Sequence, residues 1–113
     1  MSRSTIILFT RFGLGQAPAE LQQTLADKFL CLLAGSDDLP AKLLFYGEGV
    51  KLVCAGSPVL EQLRILEAKG VEFVICGTCL NYFALTDKVQ VGTIGGMPAI
   101  LEALSRAEKV ISV

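Results

Sequence analysis

Short runs of β-branched and aliphatic residues alternate along this chain with longer segments whose apolar residues recur every three or four positions. The period separates strand from helix, because side chains alternate along a strand and return after about 3.6 residues in a helix. Residues 4–10 (STIILFT) predict a first strand, followed by the Gly-rich loop RFGLGQAP. Residues 19–35 predict a helix carried by Leu21, Leu25, Phe29 and Leu32/Leu33 and stopped by Gly35. Residues 41–46 (AKLLFY) predict a second strand after Pro40. The segment GEGVKLVCAG, punctuated by Gly47 and Gly49, reads as a turn of helix or a loop rather than a strand. Ser57-Pro58 marks a helix start, with Ser as N-cap and Pro at the first helical position. That helix shows Leu60, Leu63 and Ile65/Leu66 on one face and ends at Gly70. Beyond it lie a third strand over 71–76, a short helix over 79–85 and a fourth strand over 89–94. A helix over 97–108 with Pro98 in its first turn and a final strand, KVISV, complete the chain.

Strands alternating with helices imply a parallel sheet with right-handed crossovers and helices on both faces. The fold class expected is therefore α/β: a three-layer α/β/α sandwich over residues 1–113, one domain. Its mostly parallel five-stranded sheet is expected in flavodoxin-like order. The near-continuous apolar strands suit a sheet covered on both faces. Ligands in such folds sit at the carboxyl ends of the strands, near the topological switch point. The loops expected there are RFGLG, GEGV, CGTC and GGM.

Composition narrows the function classes. Apolar residues make up 52% of the 113 residues, more than such a small domain can hide, so part of that surface is expected in a homo-oligomer interface. A net charge of −1 gives no electrostatic footprint for nucleic acid or an acidic membrane, so neither is expected as a partner. The longest uncharged stretch, Phe73 to Thr86, has 14 residues and is too short to span a bilayer. The N-terminus lacks the long apolar region of a signal peptide, and cytoplasmic residence with free thiols is the expectation. The chain has no His, which removes the usual general base and the Ser-His-Asp and Cys-His arrangements.

The remaining chemistry lies in FVICGTCLNYF, where Cys76 ends the third strand and Cys79 opens the next helix in C-x-x-C spacing. Amides at a helix start can stabilise a thiolate, the form that attacks sulfur. The pair reads as working thiols, and buried inert thiols are the alternative. A zinc site needs four ligands, and Cys31 and Cys54 fall in separate elements, so neither metal nor cofactor is expected. A thioredoxin-like motif would sit earlier and pair with a later Pro loop. Cys31, mid-helix among leucines, and Cys54 read as packing residues. The GLGQAP and GTIGGM segments lack phosphate-binding spacing and read as turns. Phe9, Phe12, Tyr46, Tyr82 and Phe83 read as core or as the mouth of a pocket.

The segments GVKL, LEAKGVE, CGTCLNYF and VGTI-G-GM, with KVISV at the end, resemble the DsrE/DsrF-like sulfur-relay family. The resemblance runs over most of the chain and is closest to the C-terminal DsrE-like domain of YedF-type selenium-metabolism proteins. It implies a flavodoxin-like domain that assembles into oligomers and a role in passing persulfide sulfur between proteins. It further implies that Cys76 is the nucleophile, with Cys79 resolving the persulfide or assisting by hydrogen bonding. Sulfur-donor and sulfur-acceptor proteins, among them a TusA-like carrier, would be the partners. YedF-type proteins carry a TusA-like domain in front, which is not seen here, so the chain is expected to act alone or with a separate partner. Gly95-Gly96-Met97 stands where the family often shows Ser-Asn-Met, and Tyr46-Gly47 where Asn is frequent. A non-catalytic oligomeric subunit that binds a ligand or partner, or a dithiol oxidoreductase, are the alternatives to a sulfurtransferase-like carrier.

Overall fold

The computed structural model describes residues 4–113. Five strands form one sheet: β1 Thr5–Phe9, β2 Lys42–Phe45, β3 Glu72–Cys76, β4 Thr93–Gly95 and β5 Lys109–Ser112. Four α-helices connect them: α1 Ala19–Ala34, α2 Leu60–Ala68, α3 Gly77–Tyr82 and α4 Met97–Arg106. A 3-10 helix spans Gly47–Val53, where the Gly-punctuated segment predicted a helical turn or loop. All four strand pairings are parallel, and the order is β4-β3-β2-β1-β5. The expected α/β architecture is present, but this order differs from the flavodoxin sequence 2-1-3-4-5. Alternation of strands and helices dictates crossovers, not which edge a new strand joins. Here β2, β3 and β4 step away from β1 in turn, and β5 returns to its other side.

One face of the sheet is built on aromatic packing. Phe9 stacks on Phe45 with centroids 5.1 Å apart, Phe45 meets Phe73 at 5.6 Å, and Phe29 of α1 meets Phe9 edge-on at 6.4 Å. Offset and edge-to-face pairs of this kind add about 0.5–1.5 kcal/mol each beyond area burial. Helix α2 packs beside α1 and buries Leu63 and Leu66. The Lys69 ammonium, just past α2, donates to the Ala34 carbonyl at 2.6 Å and so closes the C-terminus of α1. On the opposite face α4 packs over β3 and β4 and buries Ile100 and Ala103.

Several local expectations shift. The inward stripe of α1 is Ala26, Leu30, Leu33 and Ala34, which leaves Leu21, Leu25 and Leu32 on the outside, Leu32 at 79% exposure. Cys31, expected in the core, is exposed because it shares that outer side. Helix α2 begins two residues after Pro58, and the Ser57 hydroxyl accepts the Val59 N–H at 3.3 Å instead of capping the helix. Strand β4 begins at Thr93, because the chain turns at Gly92 with φ +84°.

Helix α3 ends in an unusual version of a common stop. The Leu85 N–H reaches back to the Leu80 carbonyl at 2.8 Å and the Ala84 N–H to that of Asn81 at 3.1 Å. This pattern puts the donor of the second bond in the left-handed region, where Gly is usual. Ala84 sits there with φ 56°. A left-handed residue with a Cβ costs about 1–2 kcal/mol, partly offset on replacement by the greater freedom of Gly in the unfolded chain. The Ala84→Gly variant is expected to gain about 0.5 kcal/mol in urea unfolding, and a loss of stability would contradict this strain.

Candidate functional site

Strand β3 is an apolar run because both its faces are covered: Phe73, Val74, Ile75 and Cys76 are all buried. Gly77 then starts α3 directly, so Cys76 is both the last strand residue and the N-cap of the helix. Cys79, three residues on, falls in the first turn of α3, and the two side chains lie close together. Both are free thiols. The sequence expectation of a paired C-x-x-C at a strand-to-helix turn is met in this geometry, at the carboxyl end of the sheet. The pair sits between β2 and β4, not at the switch point, which this strand order places between β1 and β5.

The two thiols differ in access. Cys76 is 0% exposed, whereas Cys79 is half-buried. The expectation that Cys76 would be the solvent-reachable sulfur is not met, because β2, β4 and α4 close around the end of β3. Tyr82, one turn beyond Cys79, is 83% exposed and packs edge-on against Phe83 at 5.1 Å.

A third participant comes from elsewhere in the chain. The Gly47 N–H donates to the Cys79 sulfur at 3.1 Å. Gly47 has φ 59°, a conformation in which an L side chain is strained, and a Cβ there would lie 3.2 Å from the Thr10 carbonyl. Two residues on, Gly49 lies flat against the end of β1, where a Cβ would stand 2.1 Å from the Phe9 carbonyl oxygen. The 3-10 helix thus reaches Cys79 only because two of its residues lack side chains. Sequence reasoning treated GEG as punctuation. The available signal was two glycines just after a strand, which marks close backbone approach as well as a turn.

Burial, then the neighbouring Cys76 side chain, push the Cys79 thiol above the ordinary value of 9.0, and the Gly47 amide pulls the other way without prevailing. The expectation that the start of α3 would lower a cysteine pKa is reversed at Cys79. A short helix offers few free amides, and removing a thiolate from water costs more than one of them returns. Thiol-selective alkylation of Cys79 is therefore expected to keep accelerating as pH rises past 9.0. A rate that levels off below that pH would show the amide outweighing burial.

Cys54, expected as a packing residue, is buried and donates to the Val50 carbonyl at 3.2 Å, and burial raises its thiol as well. No three His, Cys, Asp or Glu side chains gather as a metal site among the described residues. None of the described helices is long and apolar enough to cross a membrane. Two of the cavities among the described residues flank the sheet. One, of about 340 Å³, lies between α4 and the amino ends of β2 and β3. Its charged groups are paired among themselves, Lys42 with Glu72 and Arg106 with Glu102, each at 3.3 Å. The other, of about 400 Å³, lies at the carboxyl end between the loop after β1 and the end of α3. Phe12 and Phe83 wall it, while Phe9 belongs to the core and Tyr46 is half-buried.

Comparison with known proteins agrees with this fold. The profile of the DsrE/DsrF-like family matches residues 15–113. The YchN protein of E. coli superimposes with a TM-score of 0.69 at 18% identity, over 97% of this chain and 99% of that one. MTH1491 of Methanobacterium thermoautotrophicum, a protein of unknown function, gives 0.65 at 16% identity over 96% and 98%. BT1422 of Bacteroides thetaiotaomicron, a conserved protein of unknown function, gives 0.69 at 15% over 97% and 95%. Identities this low speak for the fold alone. No curated protein matches.

Proposed function

Because this chain belongs to the DsrE/DsrF-like family, we propose that it is a sulfur-relay protein working through Cys79 and Cys76. The observation that carries the reading is two free thiols close together at the carboxyl end of β3, the outer one held by a main-chain amide. The roles follow access. Cys79 is the entry sulfur, and Cys76 stands behind it. A donor persulfide R–S–SH and the Cys79 thiol exchange to give R–SH and Cys79–S–SH, with the proton of the Cys79 thiol passing to the donor sulfur that leaves. Two fates follow. An acceptor thiol can take the outer sulfur and restore Cys79. Alternatively, Cys76 attacks the inner sulfur, forming the Cys76–Cys79 disulfide and releasing hydrogen sulfide. In that second step the two cysteines are oxidised and the sulfur atom that leaves is reduced. No His is needed, since thiol exchange requires only thiolate character and access.

The C-G-T-C segment favours the YedF-type branch, where selenium would follow the same exchange. A TusA-like carrier fits as the separate donor or acceptor, and the exposed Tyr82 beside Cys79 suits its docking. Assembly into a homo-oligomer would cover Leu21, Leu25 and Leu32, which α1 turns outward. Light scattering tests assembly, and a monomer would contradict it.

Intact mass after exposure to glutathione persulfide tests the reading, in a Cys31→Ser background that removes the exposed third thiol. A gain of one sulfur, followed by sulfide release and a chain two hydrogens lighter, is expected. A direct loss of two hydrogens with no sulfur adduct would mark a dithiol oxidoreductase. No change at all would mark a non-catalytic subunit.

A further inference from the structure

The cavity at the carboxyl end of the sheet is not used by the thiol chemistry, since neither Cys76 nor Cys79 walls it. We propose that it is a binding site for a compact organic anion, an apolar or aromatic body bearing one carboxylate. Its volume of about 400 Å³ suits a small ligand. Phe12, Phe83 and Leu85 supply apolar wall, and Lys51 supplies the positive group. The Lys51 ammonium lies 4.7 Å from the Phe83 ring centre, a cation–π contact that holds it at the rim. Cys54 also faces the cavity, and its thiol is occupied in a hydrogen bond to Val50. Burial keeps that thiol neutral, so the wall itself presents no negative charge.

Charge selects the ligand. The group nearest the Lys51 ammonium is the Glu48 carboxylate, 3.4 Å away and largely in solvent. Exposed pairs of this kind are weak, so an incoming carboxylate that also buries an apolar body can displace or share it. A cationic ligand would meet Lys51 unfavourably, and a purely apolar one would leave the ammonium facing hydrocarbon. The site also borders the thiols. Lys51 belongs to the 3-10 helix whose first residue, Gly47, donates to Cys79, and Phe83 follows α3, which carries Cys79. The inference does not depend on sulfur transfer, because it rests on the cavity and its charge.

The test is a nuclear magnetic resonance titration of the full chain with phenylacetate and with its neutral isostere phenylacetamide. Phenylacetate is expected to shift the amides of Lys51, Gly56 and Leu85 saturably, with Kd of order 1 mM. Phenylacetamide is expected to bind about fivefold more weakly. Lys51→Met should abolish that difference, and Glu48→Gln should tighten the acid about two- to threefold without affecting the amide. Equal binding of acid and amide by the unmodified chain, or no saturable shifts at these positions, would overturn the proposal. So would a difference that survives Lys51→Met in a variant whose spectrum remains dispersed.

Discussion

In the Cys31→Ser background, replacing Cys79 by Ser is expected to bring sulfur uptake from a persulfide donor to background. A serine hydroxyl does not ionise near neutral pH, and no other reachable thiol stands at the end of β3 once Cys79 is gone, since Cys76 is fully buried. The companion variant Cys76→Ser should behave differently. It keeps the entry sulfur and its Gly47 hydrogen bond, so the adduct forms. It lacks the second thiol, so the adduct persists and neither sulfide nor the internal disulfide appears. The neighbouring Cys76 side chain also pushes the Cys79 thiol up, so removing that thiol should make Cys79 more readily ionised. Sulfur adduct in Cys79→Ser at the unmodified level would overturn the assignment of roles.

The second large effect lies in the frame that holds the site. Gly49→Ala would place a methyl 2.1 Å from the Phe9 carbonyl oxygen and 2.7 Å from its carbon, and 3.1 Å from the Thr10 nitrogen. These are backbone atoms at the end of a central strand, so no side chain can swing aside. The 3-10 helix must lift or β1 must bend, and a loss of about 3 kcal/mol in urea unfolding is expected. Lifting that helix also withdraws the Gly47 amide from Cys79, so alkylation of Cys79 should change in the same variant under conditions where it remains folded. A stability within experimental error of the unmodified chain would contradict the close approach.

The sequence carried the architecture because its strands are covered on both faces. A run such as Phe73–Cys76 needs no partner to be recognised, and its abrupt change into GTCLNY marks where strand gives way to helix. The pairing of Cys76 and Cys79 was legible for the same reason, as spacing and turn together leave the two side chains few other places to go. What sequence could not supply was long-range. Helix α1 carries two apolar stripes, and only its neighbours decide that Leu30 and Leu33 face inward while Leu25 and Leu32 do not. Strand order depends on which edge β5 joins, which no local pattern encodes. The direction of the Cys79 shift is set by burial against the pull of an amide contributed just past the end of β2, more than thirty residues earlier. The fourth strand begins later than expected: Val89 and Val91 suit a strand by composition, but the turn at Gly92 delays pairing until Thr93.

The most direct test of the thiol assignment is to locate the first added sulfur. The Cys31→Ser chain, exposed briefly to glutathione persulfide and then blocked and digested, yields a peptide holding both cysteines, whose fragment-ion masses distinguish residue 76 from residue 79. The extra sulfur is expected on Cys79. Its appearance on Cys76 ahead of Cys79, or on neither, would contradict the claim that sulfur enters through the outer thiol of the pair.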